Sequence, residues 1–256
     1  MSDLLWVKMP SEWIAKGLLA TNLSSSKNVS TDIAALKVYI CLCLFSTVVK
    51  REHILVSFNP PFTTKTSSYI DQIESCMTYD QLCESAVLSR VLVSRGLNKL
   101  EELELIKKEG TTRKKRYVIV GNVSRRWCKL PRKALIKSDN IVSCFTSFTQ
   151  RYEQERAALK LFLYFLSVRT NSKRYVDVSR GIMSKKTGIN LMDLDGCLGF
   201  LRSLGLLEDV KSKGYLKLPS TAGSTSEQDR LHRYWVVGNQ SLNFKTVKQE
   251  SEDLDF

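Results

Sequence analysis

Five residues between positions 90 and 98 have the side-chain types that proteins use to read base pairs in the major groove. Arginine can clamp guanine O6 and N7, asparagine can pair with adenine, serine can contact a base or a phosphate, and valine can meet a thymine methyl. In a helix, Val93, Leu97, Leu100 and Leu103 would share a core-facing stripe, which leaves the five on the opposite side. The five are Arg90, Val91, Ser94, Arg95 and Asn98.

The residues before this stripe predict how its helix is held. Thr78 and Gln81 have the spacing of a capping box and begin a support helix, TYDQLCESA. After a short turn Ser89 caps the next helix, whose free amides offer a site for a phosphate. Two solvated arginines on an ordinary surface helix would also explain Arg90 and Arg95, but the helix-turn-helix context favours base reading.

A basic segment follows the predicted reading helix. Residues 105–137 contain twelve Lys or Arg and one acidic residue, Glu109, in a chain of net charge +13. The run KKEGTTRKKRYVIV predicts a strand, a turn at Gly110 with a basic tip and a returning strand, and Tyr117 is expected in the core. Such a wing would lie against phosphates or enter a minor groove. The predicted DNA contacts outside the helix are Lys107, Lys108, Arg113, Lys114, Lys115, Arg116, Arg125 and Arg126.

Motifs for catalysis or for a metal are not found. The chain has no GxxxxGK[ST] loop, no GxSxG elbow and no His-x-His pair, so we expect a non-enzymatic protein without a cofactor. Seven scattered cysteines and two histidines do not give zinc spacing, and the cysteines are interpreted as reduced core thiols. The N-terminal sequence lacks the pattern of a signal peptide, and the most apolar stretch contains Lys37. A cytoplasmic, nucleoid-associated protein that does not enter a membrane is expected.

Four blocks of sequence recur in the same order, which indicates that the chain is a duplication. The matched blocks begin at Trp6 and Trp127, at Ala34 and Ala157, at Leu97 and Leu198, and at Arg116 and Arg233. Two insertions of loop composition, HILVSFNPPFTTKTSSYI and YLKLPSTAGSTSEQDRLHR, account for the unequal spacing. The predicted units are residues 1–122 and 123–239, followed by an acidic tail, residues 240–256.

Each unit has the same predicted order of elements. A core helix (residues 32–49 and 154–168) precedes a short strand (residues 54–58 and 175–178), two short helices and a closing hairpin. Helix, strand, helix, turn, helix and a two-stranded wing is the winged-helix order. The sequence therefore predicts an α+β, mainly helical protein made of two tandem winged-helix domains.

The second unit differs where the first would read DNA. Its support helix and its cap, Asn190, follow the pattern, but Asp193 and Asp195 occupy the early turns of the next helix. Carboxylates there would repel phosphate, so we expect this helix to contact protein, by self-association or otherwise. Met192, Asp193 and Asp195 are the predicted partner-binding residues of this unit.

Two resemblances extend this interpretation. Residues 78–121 resemble the winged helix-turn-helix of bacterial regulators of the MarR and GntR kind, carried by Ser-Arg, Ser-Arg and Leu-x-x-Leu-Glu in TYDQLCESAVLSRVLVSRGLNKLEELELIKKEG. Two tandem units that each open with W-x-K-(M/L)-P are similar to the initiators of plasmid replication. That resemblance implies that one unit binds origin repeats and that the other dimerises or also binds DNA. By position, Arg90, Ser94 and Arg95 would be the groove readers.

The acidic tail allows three interpretations. QESEDLDF, which ends in Phe256, is similar to the C-terminal tip of bacterial single-strand-binding proteins and would then dock on a replication partner. A solvated end has the same composition. The four acids could also fold back on the basic wing.

Sequence-specific binding of double-stranded DNA, in replication initiation or maintenance of a mobile element, is the resulting hypothesis. A transcriptional regulator would use the same helix, and a winged-helix adaptor within a nucleic-acid complex is a third possibility. Single-strand or RNA binding ranks lower because only Tyr117 and Trp127 lie near the basic segment.

Overall fold

A computed structural model describes residues 4–23, 28–59, 62–111, 115–121, 126–136, 140–208 and 231–238, of which residues 53–59 and 62–68 are described by backbone alone. The described chain is a mixed α+β protein with small antiparallel sheets. Its core lies around two long helices, one from each half of the sequence.

The first half begins with a short strand and two single-turn helices, continues with a buried helix and a long hairpin, and ends with two helices and a second hairpin. Its elements are β1 (Val7–Pro10), α1 (Glu12–Ala15), α2 (Leu18–Thr21), α3 (Val29–Leu44), β2 (Ser46–Asn59), β3 (Phe62–Ser75), α4 (Tyr79–Ala86), α5 (Arg90–Glu102), β4 (Ile106–Gly110) and β5 (Lys115–Ile119). Strands β2, β3, β5 and β4 form one sheet in that order.

The second half repeats much of this order. Its elements are β6 (Trp127–Leu130), α6 (Arg132–Leu135), a 3-10 helix (Ser143–Ser147), α7 (Glu153–Val168), β7 (Tyr175–Ser179), α8 (Arg180–Thr187), a second 3-10 helix (Leu191–Asp193), α9 (Leu194–Ser203) and β8 (Leu231–Trp235). Strand β7 pairs with β8, and Leu207 bridges to Val236 on the other side of β8.

The two blocks that open the sequence halves pair with each other. Strands β1 and β6 are antiparallel, with Lys8 opposite Lys129. On the outward face Trp6 and Trp127 stack with their ring centroids 5.7 Å apart. Lys8 lies over Trp127 and Lys129 over Trp6, at 5.0 and 4.8 Å from the ring centroids. The halves therefore exchange equivalent contacts across this small sheet.

Helices α3 and α7 carry the second set of exchanged contacts, in the core. Lys37 of α3 is buried and donates to the carbonyl of Phe145 at 3.4 Å, in the other half. Lys160 occupies the matching position on α7 and donates to the carbonyl of Leu23 at 3.2 Å, in the first half. Desolvation by burial lowers the pKa of each lysine to about 8. Two buried ammonium groups thus lie between the halves.

Three caps predicted from the sequence are confirmed. Thr78 and Gln81 form a reciprocal capping box on α4. Ser89 accepts from the amide of Leu92 at the start of α5, and Asn190 accepts from the amide of Met192. These bonds satisfy amides that the first turn of a helix leaves unpaired. They fix where α4, α5 and the 3-10 helix before α9 begin.

The predicted end of the first core helix and the predicted loop after it are wrong. Helix α3 ends at Leu44, and the segment predicted as an insertion of loop composition lies in β2 and β3, fourteen residues each. Thr47, Val48 and Val49 are β-branched and favour a strand, but inside an apolar run periodicity does not show where a helix stops. The second inserted segment lies almost wholly outside the described residues.

The hairpin also changes which strands correspond between the halves. Ser75, at the end of β3, pairs with Tyr117, just as Val176 of β7 pairs with Tyr234. Residues 54–58 were predicted to be the counterpart of β7, but they lie within β2. The end of β3 occupies the equivalent place in the first half. Strand β2 is an addition that covers one edge of the first sheet.

At matching places in the two halves, a glycine packs directly against a proline ring. A Cβ on Gly121, where φ is +144°, would lie 2.6 Å from Cβ of Pro10, and one on Gly238, where φ is +95°, would collide with Cβ of Pro131. Real Cβ atoms do not approach a ring carbon this closely, and positive φ strains any residue with a Cβ.

We expect Gly121→Ala to lower the free energy of unfolding by about 2 kcal/mol or more, because strain and overlap add. Gly199→Ala is the matched control, since Gly199 lies on α9 with nothing near its missing Cβ. That variant should gain roughly 0.5–1 kcal/mol from helix propensity. Urea unfolding of both variants measures the difference, and equal values would contradict the prediction.

Candidate nucleic-acid interface

Helix α5 presents the predicted reading stripe to solvent. Val93, Leu97 and Leu100 are buried, as the helical period predicts. Of the stripe, Ser94 is half-buried and the other four residues are exposed; Val91 is 59% exposed although it is apolar. Exposed apolar residues of this kind suit contact with a ligand surface. The members of the stripe lie together on one accessible face.

Gly96 allows helix α5 to approach helix α3 closely. A Cβ at Gly96 would lie 3.0 Å from the carbonyl carbon of Ala34 and from the amide nitrogen of Ala35. Helix α5 therefore rests directly on the backbone of α3, with no side chain between them at this point. Because packed backbones move little, the stripe is presented by a rigid support.

Carboxylates on neighbouring elements hold two of the predicted contacts. Arg90 makes an ion pair with Asp80 on α4, although both side chains are largely exposed. Lys108 of β4 donates to Oδ1 of Asn98 at 2.7 Å and pairs with Glu101 at 2.9 Å. Exposed ion pairs contribute little stability, so these partners orient the side chains more than they fix the fold.

Arg95 and Lys107 differ from those residues. Both are exposed, and within the described part of the chain neither makes an ion pair. Lys115 is exposed at the start of β5, with Nζ 4.5 Å from the ring centroid of Tyr79. These three cations are thus directed to solvent near the stripe and the wing, where an anion could reach them.

Arg116 belongs to a ladder of charges that crosses all four strands of the first sheet. Glu74 of β3 is buried and accepts two bonds from Arg51 of β2, at 2.8 and 3.0 Å. Arg116 of β5 lies 3.6 Å from Glu74 and also pairs with Glu109 of β4. The Arg51 hydrogen bond holds the pKa of Glu74 below its usual value. Arg116 therefore links β5 to its two neighbouring strands through ion pairs.

Other members of the basic segment also serve the fold. Lys129 donates to the carbonyl of Asn171 at 3.0 Å, and Arg132 donates to the carbonyl of Leu44. Tyr117 is buried, as predicted. Arg126 is exposed, and its carbonyl accepts from the amide of Ser11. Predicted contacts at Arg113, Lys114 and Arg125, and the predicted partner contact at Phe256, lie outside the described residues.

Asp195 is already paired within the second unit. Arg180 on α8 donates to both of its carboxylate oxygens, at 2.6 and 2.8 Å, and this bond holds the pKa of Asp195 below its usual value. Asp193 is exposed. Met192 is 88% exposed and matches Val91 of the first unit in position. The start of this helix pair therefore presents an apolar tip beside a neutralised carboxylate.

A group of aromatic and basic residues that the sequence did not indicate lies on the outward face of β7 and β8. Tyr175 and Trp235 are opposite each other, with their ring centroids 5.2 Å apart. Arg233 lies 3.7 Å above the ring of Tyr175, and Arg174 lies 5.8 Å from that of Trp235. In KRYVDVS and LHRYW, aromatic or charged residues alternate with other residues, a pattern that indicates one exposed face of each strand. The sequence does not show that these two distant segments pair, so the combined face was not predicted.

Metal and thiol chemistry find little support in the described residues. Among them, no group of three His, Cys, Asp or Glu side chains could hold a metal ion. All seven cysteines are free thiols; five are buried, Cys83 is half-buried and Cys76 is exposed. The expectation of core thiols is confirmed for the five buried residues and is wrong for Cys76.

Comparison of the chain with protein-family models, with curated proteins and with solved structures finds no match. In the described part of the chain, no helix is long and apolar enough to cross a membrane. What the protein binds must therefore be inferred from its own surfaces.

Proposed function

We propose that the protein is a non-enzymatic, sequence-specific binder of double-stranded DNA, built from two tandem winged helices, with α5 as its reading helix. We further propose that it serves replication initiation or maintenance of a mobile element in the bacterial cytosol. The carrying observation is Arg95, exposed on a capped and rigidly supported helix, without an ion-pair partner in the described residues. Arg95 can form the bidentate contact with guanine that such helices use.

The order of elements supports the winged-helix assignment. In the first half α3, the end of β3, α4, α5, β4 and β5 follow one another, and the strands lie side by side in the order β3, β5, β4. In the second half α7, β7, α8, α9, the bridge at Leu207 and β8 follow the same path. Two helices joined by a tight turn and followed by a hairpin is the arrangement that places a second helix in a major groove.

Matching backbone conformations support the duplication. The residue that ends the support helix has positive φ in both halves, Val87 at 51° and Gly188 at 69°. The residue that follows the second helix does so as well, Glu104 at 55° and Gly205 at 69°. Valine and glutamate avoid this region unless the surroundings impose it. A shared helix-turn-helix geometry accounts for both pairs.

Selection of bound fragments from random DNA at moderate salt tests the proposal. A preferred sequence should emerge, and Arg95→Ala should weaken binding to it by about 1–3 kcal/mol while leaving binding to random DNA nearly unchanged. Lys107→Ala should weaken both to a similar extent, because a phosphate contact carries no sequence information. Arg151→Ala, at an exposed arginine remote in sequence from α5 and the wing, is the control. An unchanged preference in Arg95→Ala would contradict the assignment of α5.

A protein-interaction adaptor is the second candidate, favoured by the exposed tip at Met192. An adaptor would bind DNA weakly and with little salt dependence. A reading helix and wing that engage about six phosphates should lose roughly a thousandfold in affinity between low and moderate salt. The salt slope of the intact protein therefore separates the two candidates. A transcriptional role and a replication role share the DNA-binding test and differ in whether promoter output or replicon copy number changes.

A further inference from the structure

The outward face of β7 and β8 is lined with rings and cations. Alternation along the strands places Tyr175 and Asp177 on this face opposite Trp235 and Arg233, while Val176 and Tyr234 are buried on the other side. Lys173 lies just before β7, with Nζ 5.3 Å from the ring centroid of Tyr175. Two aromatic rings are thus surrounded by three cationic side chains.

Carboxylates hold both guanidinium groups beside the rings. Asp177 accepts from Nε and Nη2 of Arg233 at 2.8 and 3.0 Å, and Glu208 accepts from Nη2 of Arg174 at 2.8 Å. Nε of Arg174 is buried without a hydrogen-bond partner among the described residues. The guanidinium groups of this face are ordered by neighbouring carboxylates.

A partly open cavity of about 320 Å³ adjoins this face along the edge of β7. Tyr164, Lys173, Tyr175 and Leu231 are among its lining residues, together with Val168 and Ile182, which are 45% and 47% exposed. The mixture of apolar walls and a nearby ammonium group suits a flat ring that carries a phosphate. Its volume lies at the lower end of the range for small-ligand pockets.

In the first half, the positions equivalent to this ring face are buried. Glu74 stands where the second half has Tyr175, and Val118 stands where it has Trp235, and both are buried. Strand β2 covers the edge there, with Thr47 beside Glu74. Among these positions, Arg116 in the first half matches Arg233 in the second. Arg116 makes ion pairs with Glu74 and Glu109 within its own sheet. The half-buried ring face of Tyr175 and Trp235 is thus a property of the second half that the repeat does not require.

We propose that the outward face of β7 and β8, with the adjoining cavity, binds single-stranded nucleic acid. Bases stack on Trp235 and on the guanidinium group of Arg233, which lies over the ring of Tyr175, while Lys173 and Arg174 face the phosphates. Aromatic and guanidinium planes accept any base, and a sheet that presents them recognises splayed strands. A duplex keeps its bases stacked on each other, so its base faces cannot reach these rings. This site is separate from α5 and does not depend on duplex recognition.

Fluorescence anisotropy with labelled oligo-dT and oligo-U of about 16 nucleotides tests the site on the full chain. Trp235→Ala should weaken binding about tenfold, because loss of one stacked base has that effect. Tyr175→Ala should weaken it to a similar extent, because it removes the ring that supports the guanidinium group of Arg233. Trp235→Phe should recover most of the affinity, since it keeps a ring. Weaker binding of one oligomer than of the other identifies DNA or RNA as the natural strand.

Lys173→Glu keeps the test valid if a ring variant fails to fold, because Lys173 is exposed. It should weaken oligomer binding several-fold, whereas Lys133→Glu, the same charge change at an exposed residue outside this face, should not. If no oligomer binds, or if all variants bind as the native chain does, the proposal is overturned. Arg95→Ala should lose duplex preference while keeping oligomer binding, so failure of one site is distinguishable from failure of the other.

Discussion

Replacing Arg156 with leucine should reduce the free energy of unfolding by about 3–5 kcal/mol at neutral pH. Arg156 of α7 donates to Asp32 of α3 at 2.7 Å, and both side chains are only 2% exposed. Glu153, which is largely exposed, also accepts from Arg156. Without the guanidinium, the Asp32 carboxylate is left buried and unpaired between the two core helices. Urea unfolding followed by circular dichroism measures the loss.

The pH dependence of that loss provides a check on its cause. Desolvation by burial already raises the pKa of Asp32 from 3.8, against the opposing effect of Arg156. Folding therefore favours the protonated carboxyl, and the pKa should rise further in Arg156→Leu. The difference in the free energy of unfolding between Arg156→Leu and the native chain should therefore shrink as the pH falls through the pKa of Asp32 in the folded variant.

The double variant Asp32→Leu with Arg156→Leu is the matched control. It removes both charges and should recover most of the stability, because a buried ion pair is often no better than apolar residues of similar size. If the double variant is as unstable as the single one, the cause is lost packing and not the unpaired carboxylate.

Alkaline pH should unfold the protein between about pH 10 and 11. Burial raises the pKa of five thiols above 9.0, to about 12 for Cys128 and Cys144 and to about 11 for Cys197. Each thiol ionises first in the unfolded chain, which costs folding roughly 1.4 kcal/mol per thiol for every pH unit above 9.0. Buried phenols, with Tyr117 and Tyr234 raised to about 12, add to this loss above pH 10.

The two buried lysines act in the opposite direction over part of the range. Their pKa values, about 8 in the folded state, lie below the ordinary 10.5, so the unfolded chain holds more protons between those values. Stability from this source rises from about pH 8 to 10.5 and then stops rising. The native curve should thus rise from about pH 8 to about pH 9 and then fall, because above pH 9 the five thiols outweigh the two lysines.

Lys37→Met with Lys160→Met separates the two effects. The rise in stability between about pH 8 and 9 should disappear, and the fall above pH 9 should be steeper than in the native chain, because the thiols alone then determine the slope. Urea unfolding across pH 7 to 11 under reducing conditions gives both curves. Identical pH profiles for the native chain and the double variant would show that the lysines do not titrate as their burial implies.

Local pattern predicted the parts of the fold that depend on neighbouring residues. The caps at Thr78, Ser89 and Asn190 follow from short-range hydrogen bonds, so a sequence rule finds them. The buried side of α5 follows from the helical period. The exposure of Arg95 is the complement of that burial and was predictable for the same reason.

Features that depend on pairing between distant segments could not be predicted in this way. A run of β-branched residues after α3 is compatible with a longer helix until β3 is known to lie beside it. The commitment of Arg116 to Glu74 needs three strands in register. The ring face of β7 and β8 needs Tyr175 opposite Trp235, which lie on either side of a long intervening segment. Charge counting alone therefore missed that Arg116, Lys129 and Arg132 have partners within the fold.

The pairing of β1 with β6 means that the segment that recurs in the sequence is not the unit that buries its own core. The inner faces of these strands, with Met9 on one and Cys128 on the other, are covered by joint packing of both halves. The lysines of α3 and α7 each reach a carbonyl of the opposite half. The two halves therefore share one core, and the helices α5 and α9 pack on two helices, α3 and α7, that also contact each other.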